Sequence, residues 1–150
     1  MNFRKVFFMF LMMLLSVSSV ALAGDFDWIK DLSIQAQADP SGFRARLGAR
    51  FKIGDVEINA VLSNVEYPGD AYMIFRLGEM SRHPTDYVLQ QYKSGKGKGW
   101  GVLAKSLGIK PGSDDFHALK KGHDLYDDKY KGGADEKGKS KGKDKGKKQK

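Results

Sequence analysis

Pro68-Gly69-Asp70-Ala71-Tyr72-Met73-Ile74-Phe75-Arg76-Leu77-Gly78-Glu79-Met80 is the stretch that decides the fold. Pro68-Gly69 marks a turn and Asp70 offers an N-cap oxygen. From Ala71 to Met80 the apolar side chains Tyr72, Met73, Ile74, Phe75, Leu77 and Met80 occupy most sides of a helix. A helix that is apolar nearly all round must be covered nearly all round, which puts it at the centre of a bundle. Its methionines and aromatics read as core filling rather than as a cofactor box.

Working back toward the N-terminus, Ile58, Val61, Leu62 and Val65 after Asp55 follow the i, i+3, i+4, i+7 spacing of a helical face. Phe43, Leu47 and Phe51 recur every fourth residue, with Gly54 placed to close that helix. The same residues also alternate, since Phe43, Ala45, Leu47, Ala49 and Phe51 are separated by Arg44, Arg46, Gly48 and Arg50. The helical reading is preferred because no second convincing strand exists for a pairing. Further back, Trp28, Leu32 and Ala36 define a helix that Asp25 would cap and that ends before Pro40.

Toward the C-terminus, Pro84-Thr85 opens a helix with Val88, Leu89 and Tyr92 facing inward, and Ser94-Gly95 breaks it. Trp100, Leu103, Ala104 and Leu107 share one face of the next helix, Gly108 ends it, and Pro111-Gly112 turns the chain. Ser113 caps a last helix through Lys121, with Asp114 and Asp115 at its start and Lys120 and Lys121 at its end, as the helix dipole favours. The expected fold is all-α: an irregular bundle of five to seven short helices with a disordered Lys/Gly-rich C-terminal tail. About a hundred residues carry nearly all the apolar side chains downstream of residue 23, enough for one modest core.

The two ends of the chain differ from this middle. Arg4 and Lys5 precede an apolar run from Val6 to Leu15, and Ser16 to Val20 leads to Ala21-Leu22-Ala23. That order is the pattern of a secretory signal peptide cleaved after Ala23. An uncleaved membrane anchor is the weaker reading, because Ser16, Ser18 and Ser19 interrupt a run already near the lower length for a span. The expectation is an exported protein, periplasmic or extracellular, with no stable membrane span after cleavage. No Cys occurs, which excludes a cysteine-linked lipid, disulfides and thiolate metal sites.

The formal net charge of +8 is unevenly placed. Lys131, Lys137, Lys139, Lys141, Lys143, Lys145, Lys147, Lys148 and Lys150 face only Asp135, Glu136 and Asp144, so residues 131–150 carry +6. Once those nine Lys and the leader's Arg4 and Lys5 are set aside, residues 24–130 hold fifteen basic and fifteen acidic side chains. The tail lacks branched apolar and aromatic residues, so nothing offsets the entropy of ordering it, and disorder is expected. The anticipated division is a signal peptide (1–23), a helical domain (24–123), a linker (124–130) and a polycationic tail (131–150). The nine lysines are the candidate polyanion-binding residues, with an anionic envelope surface as the expected partner.

Residues 95–121 form a second candidate. Lys96, Lys98, Trp100, Lys105, Lys110 and His117 lie around a helix, turn and helix that look like the helix-turn-helix of DNA-binding proteins. Asp114 and Asp115 would meet phosphates where a recognition helix enters the groove, and export removes the chain from the chromosome, so a corner serving the core is the better reading. The corner remains a possible surface for a protein partner. Gly99-x-Gly101-x-x-Ala104 matches a dinucleotide fingerprint by letter but lacks the preceding strand. His117 and His123 with Asp124, Asp127 and Asp128 would make at best a weak cation site, and His117 is expected to be packed or hydrogen-bonded in the last helix. No catalytic residue, cofactor or small-molecule substrate is legible. An exported, non-catalytic interaction module is therefore expected; sequence-independent nucleic-acid binding and a cell-envelope hydrolase are the alternatives.

The string GWGVLAKSLGIKPGS at residues 99–113, followed by FHALK at 116–120, is similar to the C-terminal signature of small exported bacterial proteins of uncharacterised function. The resemblance extends more weakly through YPGDAYMIFRLGEMS to about Phe43, about half of the chain, and leaves out the Lys-rich tail. It implies a helical domain with an exported address and brings no activity with it.

Overall fold

The computed structural model of this protein describes residues 25–127. The expected signal peptide and the nine tail lysines lie outside the described residues. Within them the fold is all-helical: α1 (Trp28–Ala38), α2 (Pro40–Phe51), α3 (Asp55–Leu62), α4 (Pro68–Ser81), α5 (Thr85–Ser94), α6 (Trp100–Ser106) and α7 (Asp114–Lys121), with no strand among the described residues.

Helix α4 is the centre, packed against α1, α3 and α5. Nine of its residues are buried, Gly69 to Phe75 together with Leu77 and Gly78. The closest approach is to α1. The Gly69 N–H donates to Ser33 Oγ at 3.0 Å, and that hydroxyl donates to the Ile29 carbonyl at 2.8 Å. A Cβ at residue 69 would fall 2.5 Å from both the Ile29 oxygen and Ser33 Oγ, so only glycine fits.

The ambiguous 43–51 stretch is helical. Phe43 and Leu47 are buried while Ala45 and Ala49 are exposed, which a half-buried strand would not allow. Several ends differ from expectation. Residue 27, not Asp25, occupies the N-cap of α1, and Asp25 instead pairs with Lys120 at 2.8 Å. Helix α2 stops two residues before Gly54, at Lys52 in the left-handed region (φ 55°), and Gly54 becomes the N-cap of α3. Helix α4 starts at Pro68 rather than after Asp70, because proline's missing N–H costs nothing in a first turn. Asp70 thus sits one turn in, and its Oδ2 accepts the Tyr67 N–H at 3.4 Å.

Helices α6 and α7 form the expected corner: Ser113 Oγ accepts the Phe116 N–H at 3.2 Å, and Leu103, Ala104, Leu107, Ile109, Phe116 and Leu119 are buried. His117 is exposed, contrary to the packed role expected of it, because Phe116 and Leu119 supply that helix's inward face. Part of the stretch read as a linker packs against the bundle. Leu125 is fully buried, and Asp124 accepts from Arg50 Nε at 2.8 Å and from the Tyr72 hydroxyl at 2.9 Å.

Candidate binding cleft

The residues that gather into one concave surface are those where α4 begins, α5 ends and α6 starts. A cleft of about 700 Å³ lies between them, lined by Glu66, Tyr67, Asp70, Gln91, Tyr92, residues 94–100, Val102, Leu103 and Ser106. A second cleft of about 510 Å³ runs along α1 past Phe26, Ile29, Ser33 and Ile34, and meets the first at Tyr67, Asp70 and Trp100. Mostly apolar walls with a few convergent polar groups are the usual make-up of ligand sites.

Local sequence explains the shape. Tyr67 precedes Pro68 and is therefore extended (φ −123°, ψ 142°), which carries its ring out over the cleft, 52% exposed. Gly97 and Gly99 take φ values of 88° and 85°, so the turn between α5 and α6 reverses within a few residues. The reversal stacks Trp100 on Tyr92, with ring centroids 5.2 Å apart and planes 19° from parallel. Ile34, Tyr67 and Val102 are the large apolar side chains left exposed along the joined clefts.

Asp70 is the buried charged group of this surface, 7% exposed. Burial raises its carboxyl above the ordinary range, against the opposing effect of the Tyr92 hydroxyl, which donates to Oδ2 at 2.9 Å, and of the Tyr67 N–H. The Tyr92 phenol is raised in turn, by burial first and by the carboxylate second. Lys96 Nζ pairs with Glu66 at 3.5 Å, both ends well exposed, so this rim pair adds little.

Of the sequence candidates, Lys96, Lys98 and Trp100 line the cleft, whereas Lys105, Lys110 and His117 are exposed and do not. Tyr67, Asp70 and Tyr92 had no place in the candidate set. Asp70 read as a helix cap and Tyr92 as core, and only the meeting of three helices puts them on one wall. The cation site of His117, His123, Asp124, Asp127 and Asp128 does not assemble among the described residues, outside which Asp128 lies: Asp124 is taken by Arg50 and Tyr72, and His123 packs among Trp28, Tyr72 and Tyr126. Among the described residues no group of three metal-ligating side chains is present, and no helix is long and apolar enough to cross a membrane.

Comparison with protein-family models, with curated proteins and with solved structures gives no match for this chain.

Proposed function

We propose that this chain is an exported, non-catalytic interaction module of the bacterial envelope, in which the neutral helical domain holds a ligand in the joined clefts and residues 131–150 attach the protein to anionic surfaces. The observation that carries the reading is the cleft. A concave, largely apolar surface with a stacked Tyr92–Trp100 pair and a buried carboxylate is a poor use of a small domain unless something binds there. The leader sequence and the resemblance to small exported proteins support the address. The +6 charge confined to the last twenty residues supports the tether, since an anionic membrane attracts basic segments by about 1 kcal/mol per Lys near its surface.

The test compares the full chain with one ended after residue 130, by cosedimentation with vesicles containing anionic phospholipid and by binding to duplex DNA, each at low and physiological salt. Binding should require residues 131–150 and fall steeply with salt. If the shortened chain holds DNA as tightly, the tether is wrong and the Lys96, Lys98, Lys105 corner becomes the nucleic-acid surface. Replacing those three by Ala would then flatten the salt dependence. Fractionation of expressing cells checks the address; full-length protein retained in the cytoplasm would overturn it.

A further inference from the structure

Asp70 closes the capping box at the start of α4, and that role uses one of its two oxygens. Oδ2 takes both of its protein donors, the Tyr92 hydroxyl at 2.9 Å and the Tyr67 N–H at 3.4 Å. Among the described residues no donor reaches Oδ1, and no Lys or Arg nitrogen lies within ion-pair distance of either oxygen. The nearby cation, Lys96, is engaged with Glu66. The start of α4 offers partial compensation through its dipole, but only one backbone N–H reaches the carboxylate, and at a long distance. Oδ1 is not one of the fully buried atoms without a partner, so this oxygen keeps contact with solvent and is the one open to a ligand in the clefts that Asp70 lines, where a cation would add the opposite charge the protein supplies sparingly.

The rings beside it fit one kind of partner. Tyr67 and Trp100 line both clefts together with Asp70, and Tyr92 backs Trp100. Aromatic faces are electronegative and attract a cation while burying the CH groups attached to it. Lys96 and Lys98 line the same cleft, but Lys96 is paired with Glu66 and well exposed at the rim, whereas the buried charge that an anionic ligand would meet is Asp70. We propose that the joined clefts bind an organic cation, a small amphipathic molecule whose alkylammonium group sits between Asp70 and the faces of Tyr67 and Trp100. Its apolar body lies along Ile34 or Val102. This inference rests on the reading of the clefts as the ligand site and adds the class of ligand. Burial raises the Asp70 carboxyl and a bound cation would lower it again, so binding should weaken as the pH falls into the carboxyl range.

The experiment titrates the protein purified from cells expressing the full chain with choline and with its neutral isostere 3,3-dimethylbutan-1-ol, following the Trp100 indole and the amides of residues 95–102 by NMR. Choline should shift these signals saturably, the isostere should bind about tenfold or more weakly, and Asp70→Asn should remove the difference between them. Asparagine keeps an acceptor for Tyr92, and it removes an ionised group that burial disfavours. Its melting temperature should therefore match or exceed the parent's, which separates lost binding from lost folding. Equal binding of the isostere, or of a neutral oligosaccharide in place of choline, would keep the ligand site and overturn the cation. Unchanged choline affinity in Asp70→Asn would also overturn it. If choline, isostere and oligosaccharide all leave these signals unmoved, the cleft reading itself falls.

Discussion

Two tyrosines with similar neighbourhoods should respond oppositely to losing the same atom. The Tyr72 hydroxyl donates to Asp124 Oδ1 at 2.9 Å and accepts the Asp124 N–H at 3.3 Å, so Tyr72→Phe strands two polar groups in a half-buried place. The expected cost is about 1–3 kcal/mol. The Tyr126 hydroxyl is buried with no hydrogen-bond partner among the described residues, so Tyr126→Phe should change stability by less than about 0.5 kcal/mol or raise it. Urea unfolding followed by circular dichroism compares the pair directly. Trp28 Nε1, Arg46 Nη1 and His123 Nδ1 are in the same condition as the Tyr126 hydroxyl. These four residues form a chain of ring contacts: Trp28 to His123 at 5.7 Å, His123 to Tyr126 at 5.7 Å, and the Arg46 guanidinium 4.7 Å from the Tyr126 ring centroid. Stacking and burial, rather than hydrogen bonds from these atoms, hold that side of the molecule together.

Between elements, the closest fit is α4 against α1. Gly69→Ala would drive a methyl to 2.5 Å from the Ile29 carbonyl oxygen, which is backbone and cannot turn away. We expect a loss of about 1–3 kcal/mol and, because Tyr67 and Asp70 flank this residue, a disturbed cleft as well. Thermal melts and the Trp100 environment by fluorescence would report both effects. The end of α2 offers the opposite case. Lys52 adopts φ 55°, a conformation that costs a side chain about 1 kcal/mol or more, so Lys52→Gly should stabilise the fold by up to about 1 kcal/mol, read as a raised unfolding midpoint.

Across the whole molecule the charged centre is Arg50. Its side chain is 8% exposed; it donates through Nη1 and Nη2 to the two oxygens of Glu79, each at 2.9 Å, and through Nε to Asp124 at 2.8 Å, tying α2, α4 and the segment after α7. The Arg50 bonds hold the Glu79 carboxyl below its ordinary range against burial. At Asp124 burial is the larger single influence and pushes upward, but Arg50 and Tyr72 together outweigh it and the carboxyl is lowered. Burial also lowers His123, so the folded state prefers it neutral. The signs agree. The unfolded chain takes up protons first on His123, below its ordinary value of 6.5, and then on the two carboxylates, below about 4, so stability is present at neutral pH and is lost as the pH falls through these ranges. Glu79, 44% exposed, contributes less than Asp124 because water screens it. Arg50→Met should cost about 1.5–3 kcal/mol at neutral pH, since Glu79 and Asp124 both keep contact with water, and make the remaining acid dependence below pH 5 shallower, as measured by denaturant unfolding across a pH series.

The helices were legible in the sequence because each carries its own periodicity and punctuation. The four-residue recurrence of Phe43, Leu47 and Phe51, the apolar girth of residues 71–80 and the Ser113 cap are local, and helix formation is local too. Less of the candidate site was legible. Lys96, Lys98 and Trp100 stand out beside the helix-turn-helix pattern, but Asp70 reads as a cap, Tyr92 as a core aromatic, and Tyr67 carries no signal of its own. What Asp70 faces depends on where α5 and α6 return to α4, and what Asp124 faces depends on Arg50, 74 residues earlier. Contacts between residues distant in the chain leave no spacing to read. Sequence by itself determined the helical class, the central helix, the Ser113 cap and the separation of a basic tail from the rest of the chain. Only the tertiary structure decided that a buried carboxylate shares a cleft with aromatic faces and that the residues after α7 close onto the core, because burial and electrostatic environment belong to the packed assembly of helices and not to any one of them.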